Sequence, residues 1–404
     1  QAFGSAGRVL LSSDGALTLV GALSADSVAL AAGSAIVSAV DSRVTAASVE
    51  LLSRTGPVGS SSAALTLIAP QSATRVSGDV GTALNLVQAS GQLLIDRLRA
   101  GGSVSLTATT GAILGASAGG RTDLSASSLT LIAATGIGRA GLASGLAGAL
   151  TVSTTALQAQ SASGDLRIDA RSALLIDREG LSLDGGGSIV VQSKGALDLA
   201  APITATGDQP LISMSASGSI TQRANQTIAA RSGAVSLRSS AGDVVQQVGA
   251  AINVSPAVAN SGSTATEPSV RIDAAAAIVV TRVDATSGSI ALVARGGSVI
   301  DGDTSSDDAD LSATTLLIDS AAAIGSGTRT QAFASSANAI DIAVDRLAAR
   351  AGSSIRLLEQ DSVRMDSVSI ASRIAQTDRV AATTVVAALT GLLSDSGEIL
   401  FEGA

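Results

Sequence analysis

LRIDARSALLIDREGLSLDGGGSIVVQSKGALDLA, from Leu166 to Ala200, holds five short runs, LRID, LLID, LSLD, IVVQ and LDLA, in each of which an apolar residue recurs at every second place. A period of two sends alternate side chains to opposite faces, which is the pattern of a strand with one buried side, and no 3.6-residue helical period competes over a comparable length. Gly, Ser and Asp separate the runs and supply the tight or left-handed backbone that β-branched residues disfavour. These are short strands joined by corners.

Working outward, the same template recurs along the chain: apolar, any, apolar, five or six small or polar residues, then another apolar residue. Copies begin at Val28, Val49, Leu84, Val104, Leu129, Leu166, Ile189, Ile212, Val235, Val270, Ile290, Leu316 and Ile355, with weaker ones at Leu65, Leu150, Ile252 and Ile340. Leu166, Ile189, Ile212 and Val235 follow one another at a constant interval. About three short strands per 20 to 23 residues is one turn of a parallel β-helix. The fold class expected is therefore all-β, a right-handed parallel β-solenoid, the hand following the general preference of parallel crossovers. At roughly 20 to 23 residues per coil the chain makes about 17 to 19 coils, and a spacing of about 4.8 Å gives a rod of about 80 to 90 Å.

Composition agrees. Aromatic residues are 1% of the chain and hydrophobic residues 46%, so Ala, Val, Leu and Ile must fill the interior. A narrow aliphatic column suits that set, because one coil cannot bury its apolar side chains alone but stacked coils can. The lack of Cys removes disulfides and thiolate chemistry, and the lack of His removes the commonest general base and metal ligand. A net charge of −8 without a basic stripe or aromatic stacking platform argues against nucleic acid as a partner. The apolar uncharged stretches Ser27 to Val40 and Val380 to Ser394 fall short of a membrane span. Beginning at Gln1 without an initiator Met or a signal sequence, the chain is expected to be a stretch of something longer.

A longer period lies above the coil. DLSASSLTLIAATGIG from Asp123 aligns with DLSATTLLIDSAAAIG from Asp310, and IDRLRAGGSVSL from Ile95 resembles VDRLAARAGSSIRL from Val344. We expect one continuous solenoid over 1–404, duplicated internally at approximately 20–205 and 206–390. A loop insertion is expected at 255–268, where Pro256, Asn260, Gly262 and Pro268 interrupt the spacing.

GSITQ at Gly218 to Gln222, GSIALVARGGSVIDG at Gly288 to Gly302 and the recurring LLID and IDR phrases resemble the large repetitive exoproteins related to filamentous haemagglutinin, the secreted members of two-partner secretion systems. The resemblance covers essentially the whole chain, and autotransporter passengers share its texture. It implies a secreted fibre on the surface of a Gram-negative bacterium, associated with the outer membrane through a secretion partner. Such fibres serve adhesion, aggregation or biofilm formation, with a host or neighbouring cell, or further copies of the fibre, as partner. The Asn-Pro motifs of the family's amino-terminal secretion domain are not found, so the resemblance concerns the shaft alone.

The function expected is thus a non-enzymatic structural or adhesive shaft. The alternative is a self-assembling surface-layer, sheath or matrix filament, and a polysaccharide-degrading β-helix enzyme stands third. Asp307 and Asp308 invite that last comparison, since paired carboxylates can act as acid and base, but no aromatic residue stands ready to stack on a sugar. DGDTSSDDAD carries five carboxylates, Asp301, Asp303, Asp307, Asp308 and Asp310. Their hard oxygens would suit calcium, the one cofactor considered, although the spacing matches neither an EF-hand nor the Gly-Gly-x-Gly-x-Asp repeat. A solvated loop accounts for the run without an ion, and the first repeat has the uncharged GASAGG there. Arg97, Arg178, Arg282 and Arg346, often beside Asp96, Asp177 or Asp345, are read as exposed pairs that keep the surface soluble. The stretch from Arg379 to Phe401 is expected to be a cap, a contact with a neighbouring molecule or further coils.

Overall fold

A computed structural model describes residues 7–116, 121–139, 148–255, 269–303, 308–326, 339–376 and 379–403. They are all-β with no helix, strands stacking in parallel as the coils of a β-solenoid of about 12 turns. The loop expected at 255–268 lies outside the described residues from position 256 onward. The chain forms two compact units, one of residues 1–174 with 377–380, the other of 175–376 and 381–404.

In the first unit Val9, Val28, Val49 and Val76 stack in register on one another. A second column runs through Leu84, Val104, Leu129 and Leu157. The alternation read in the sequence is visible in burial: in Ser103–Ala108 the side chains of Val104, Leu106 and Ala108 point inward and are almost fully buried. Fully burying one such aliphatic side chain stabilises by about 1.5–3 kcal/mol, so the columns are the main source of cohesion.

One column of the second unit runs through Ile189, Ile212, Val235, Val270, Ile290, Leu316 and Leu347, each stacked on the next. Six of these seven are the template positions of the sequence. The seventh is Leu347, because Leu316 stacks on Leu347 while Ile355 makes a bridge with Ile324. The turns are also fewer than a uniform coil would give. Register holds at 23 residues from Ser188 to Leu211 and again from Leu211 to Ala234, but stretches to 35 from Ala234 to Ser269 and 31 from Thr315 to Arg346. Longer connections between faces consume the residues.

Two kinds of corner hold the strands together. At Gly180 the backbone is left-handed (φ 74°), and a Cβ there would run into the Pro202 carbonyl of the next coil. Elsewhere a strand ends in a small buried residue, and where that residue is Ser its hydroxyl ties the turn. Ser193 donates to the Ala196 carbonyl (3.0 Å) and Ser320 to that of Ala323 (3.0 Å), while Ser239 accepts the Gly242 N–H (2.9 Å). Each bond ties a backbone group of the tight turn back to the strand end.

The carboxy-terminal stretch leaves the stack and then rejoins it. Strands Ser367–Gln376 and Arg379–Thr390 form a separate two-stranded ribbon. Leu392–Ser394 then pairs with Ala349–Ala351, and Ile399–Gly403 pairs with Ile355–Glu359. Val368, Ile370 and Val386 of the ribbon bury Ala291, Leu317 and Ala348, and Ala375 packs with Val190, Leu211 and Ala234. Polar ties accompany the apolar contact: Ser213 donates to the Ala375 carbonyl (2.8 Å), Arg373 to the Gln209 carbonyl (3.0 Å), and Arg271 to Thr384 Oγ1 (3.0 Å).

Candidate functional site

One corner of the second unit is polar and buried. Gln222 and Gln246 face each other in register, each 1% exposed, and Gln246 Nε2 donates to Gln222 Oε1 (3.0 Å). Thr281 on the following coil donates its N–H to Gln246 Oε1 (3.2 Å) and its hydroxyl to the Ala250 carbonyl (2.6 Å). Stacked amides of this kind satisfy one another, which is what permits them inside the fold.

The next coils replace amides with carboxylates. Strand Val299–Asp301 stacks on Ile278–Val280 and ends at Asp301, whose Oδ1 accepts the Asp303 N–H (2.9 Å). Strand Leu311–Ser320 begins just after Asp310, and because Leu311 lies opposite Ile342, Asp341 of the following coil lies over Asp310. The Asp341 N–H donates to Asp310 Oδ2 (3.0 Å). One carboxylate oxygen from each of Asp301, Asp303 and Asp310 falls within 4.8 Å of the other two. Asp310 is 2% exposed and Asp341 1%, and Asp341 Oδ1 has no hydrogen-bond partner.

Burial dominates the protonation of this group. It pushes Asp310 up to about 8, the negative charges of Asp301, Asp303 and Asp341 adding to the effect and the Asp341 N–H opposing it. Asp341 rises to about 7 through burial and the charges of Asp301 and Asp303, and Asp301 to about 6, again mainly through burial. Beside the cluster a cavity of about 190 Å³ is lined by Gly249, Ala250, Thr281, Arg282, Asp303, Asp308 and Ala309. Asp308 is exposed and pairs with the exposed Arg282 at 3.5 Å. Of the five carboxylates expected to group, Asp301, Asp303 and Asp310 come together, Asp308 faces Arg282, and Asp307 lies outside the described residues. Asp341, 31 residues beyond Asp310, escaped the sequence reading.

The first repeat offers an internal comparison. Asp123, the counterpart of Asp310, is also buried, and its Oδ2 accepts the Thr151 N–H (2.9 Å) of the next coil. Gly115, ending strand Ile113–Gly115 as Asp301 ends Val299–Asp301, lies so near that a Cβ there would meet the Asp123 carboxylate. One capping aspartate is thus common to both repeats. Only the second surrounds it with further acids, Asp301 at the glycine position and Asp341 at the threonine position.

Elsewhere charged groups pair, mostly between neighbouring coils: Arg75 with Asp96, Arg223 with Asp198, Arg350 with Asp319 and Arg346 with Asp366. Arg97 and Arg178 have left-handed backbone (φ 55° and 59°), so the IDR phrase marks a corner. The most buried of the ion-paired groups is Asp273, held by Arg271 (3.0 Å) and Arg295 (2.6 Å). Burial alone would raise its pKa, but hydrogen bonds from Arg295 and Arg271 and their charges outweigh that and hold it below the usual carboxylate range.

The architecture thus defines a parallel β-solenoid with a buried carboxylate cluster at one corner. Comparison with known proteins takes the assignment no further: no family model, curated protein or solved structure matches the chain.

Proposed function

We propose that this chain is a shaft segment of a large secreted bacterial surface fibre, of the kind built by the exoproteins related to filamentous haemagglutinin, and that its role is structural or adhesive and not enzymatic. The observation that carries this reading is how the sequence is spent. In both units coil after coil supplies aliphatic residues to continuous columns, leaving a surface of Ser, Thr, Gly and scattered Arg–Asp pairs. Such a stack provides reach and stiffness whatever its surface carries. On this reading the fibre stands on the outer face of a Gram-negative cell, exported through an outer-membrane partner. The test is surface labelling: antibody against this segment should stain intact producing cells, and brief external proteolysis should abolish the stain. Signal confined to lysates would overturn the proposal.

One observation favours a second reading, a filament assembled through exposed apolar side chains. Leu10 and Val20 are 63% and 81% exposed, and Leu393 and Ile399 are 53% and 42% exposed. Exposed apolar side chains grouped in this way mark a surface for another chain.

A further inference from the structure

We propose that Asp301, Asp303 and Asp310, with Asp341 against them, bind one divalent cation of the calcium class, which joins two adjacent coils of the second unit. The oxygens of the first three residues lie within 4.8 Å of one another. That span fits around a single ion with Ca–O distances of about 2.3–2.6 Å, and all the donors are hard carboxylate oxygens. Zinc sites favour imidazole and thiolate, and the chain contains neither His nor Cys.

Asp341 supplies the independent indication. Asp341 is 1% exposed, its Oδ1 lacks a hydrogen-bond partner, and its N–H donates to Asp310 Oδ2 of the cluster (3.0 Å). Leaving a buried carboxylate oxygen unsatisfied is costly, the more so beside like charges. Asp301 and Asp303, the groups gathered within 4.8 Å of Asp310, are likewise carboxylates. A cation removes both penalties at once.

The first repeat shows that none of the added acids is needed to form the corner. Asp123 caps the Thr151 N–H there with Gly115 alongside, so the extra carboxylates of the second repeat are an elaboration of a corner that folds without them. The coil joined by the ion to its neighbour contains Asp301, Asp303 and Asp310, and Asp341 belongs to the neighbour, so binding closes the two together. This inference is independent of where the fibre stands.

The experiment is calorimetric titration of the whole chain, stripped with EDTA, against calcium chloride and separately against magnesium chloride. We expect one calcium per chain with Kd between about 10 μM and 1 mM, magnesium at least tenfold weaker, and a higher unfolding midpoint in calcium than in EDTA. Asp301→Gly combined with Asp341→Thr installs the residues of the first repeat and should weaken calcium at least tenfold with an unchanged circular dichroism spectrum. Asp303→Asn, at a half-exposed position, should also weaken binding and keeps the test valid if the double variant misfolds. No heat at 10 mM calcium with identical unfolding in EDTA, or calcium affinity unaltered by these changes, would overturn the proposal.

Discussion

Replacing Leu317 with Ala tests the flank ribbon through a residue whose cost depends on what covers it. Leu317 lies between the inward-facing Leu316 and Ile318, so simple alternation puts it outside, where truncation changes stability by less than about 0.5 kcal/mol. Instead it is fully buried beneath Val368, Ile370 and Val386. Losing three carbons there costs about 2.4 kcal/mol in transfer alone, at about 0.8 kcal/mol per buried CH₂. The cavity left under a ribbon held at both ends raises this to about 3 kcal/mol, inside the range for buried Leu→Ala changes. The control is Leu52→Ala in the first unit, an outward leucine that is 44% exposed. Urea unfolding followed by far-ultraviolet circular dichroism compares the two. Because solenoids unfold in parts, amide exchange in Leu311–Ser320 and Ser367–Gln376 should be read alongside, and protection should fall in both strands together. If Leu317→Ala costs no more than Leu52→Ala, the ribbon does not cover this face and the packing argument fails.

Asp273→Ala leaves the half-buried Arg271 without its carboxylate and should destabilise the second unit by about 3 kcal/mol, read by the same unfolding experiment; a loss under 0.5 kcal/mol contradicts the pairing. Glu359 is 2% exposed, and burial, with Asp361 beside it, pushes its pKa up to about 7 from an ordinary 4.5. The folded chain therefore holds a proton that the unfolded chain has released, so this contribution is full below about pH 4.5 and is lost as pH rises through 7. Glu359→Gln should flatten the fall of stability over that window by up to about 3 kcal/mol, and an unchanged slope of midpoint against pH would count against it.

The solenoid was legible because its physics is local and repeated. Period-two runs and a constant interval located Ile189, Ile212, Val235, Val270, Ile290 and Leu316, and these stack directly. The weaker copies at Leu65, Leu150, Ile252 and Ile340 stack on Leu86, Ile168, Val283 and Leu357, on faces other than this column. A uniform coil of about 20 to 23 residues overstates the number of turns, because the interval reaches 35 from Ala234 to Ser269 and 31 from Thr315 to Arg346. The ribbon left a trace that alternation alone passes over. Beneath the ribbon the outward position is apolar at Val190, Ala291, Leu317 and Ala348. The run from Val9 to Leu11 is equally apolar, yet its Leu10 is 63% exposed, so such a run does not by itself reveal a covering layer. The carboxylate cluster was half legible. Asp301, Asp303 and Asp310 are close in sequence, but only the register that sets Ile342 on Leu311 brings Asp341 to Asp310.

The measurement that bears most directly on the shaft reading is the light-scattering mass of the purified chain across a hundredfold range of concentration, with negative-stain images of the same samples. A shaft segment should keep the mass of one chain, 39.1 kDa, throughout. A mass that climbs with concentration, with filaments in the images that Leu10→Lys and Ile399→Lys abolish, would contradict it and establish assembly through these exposed apolar side chains.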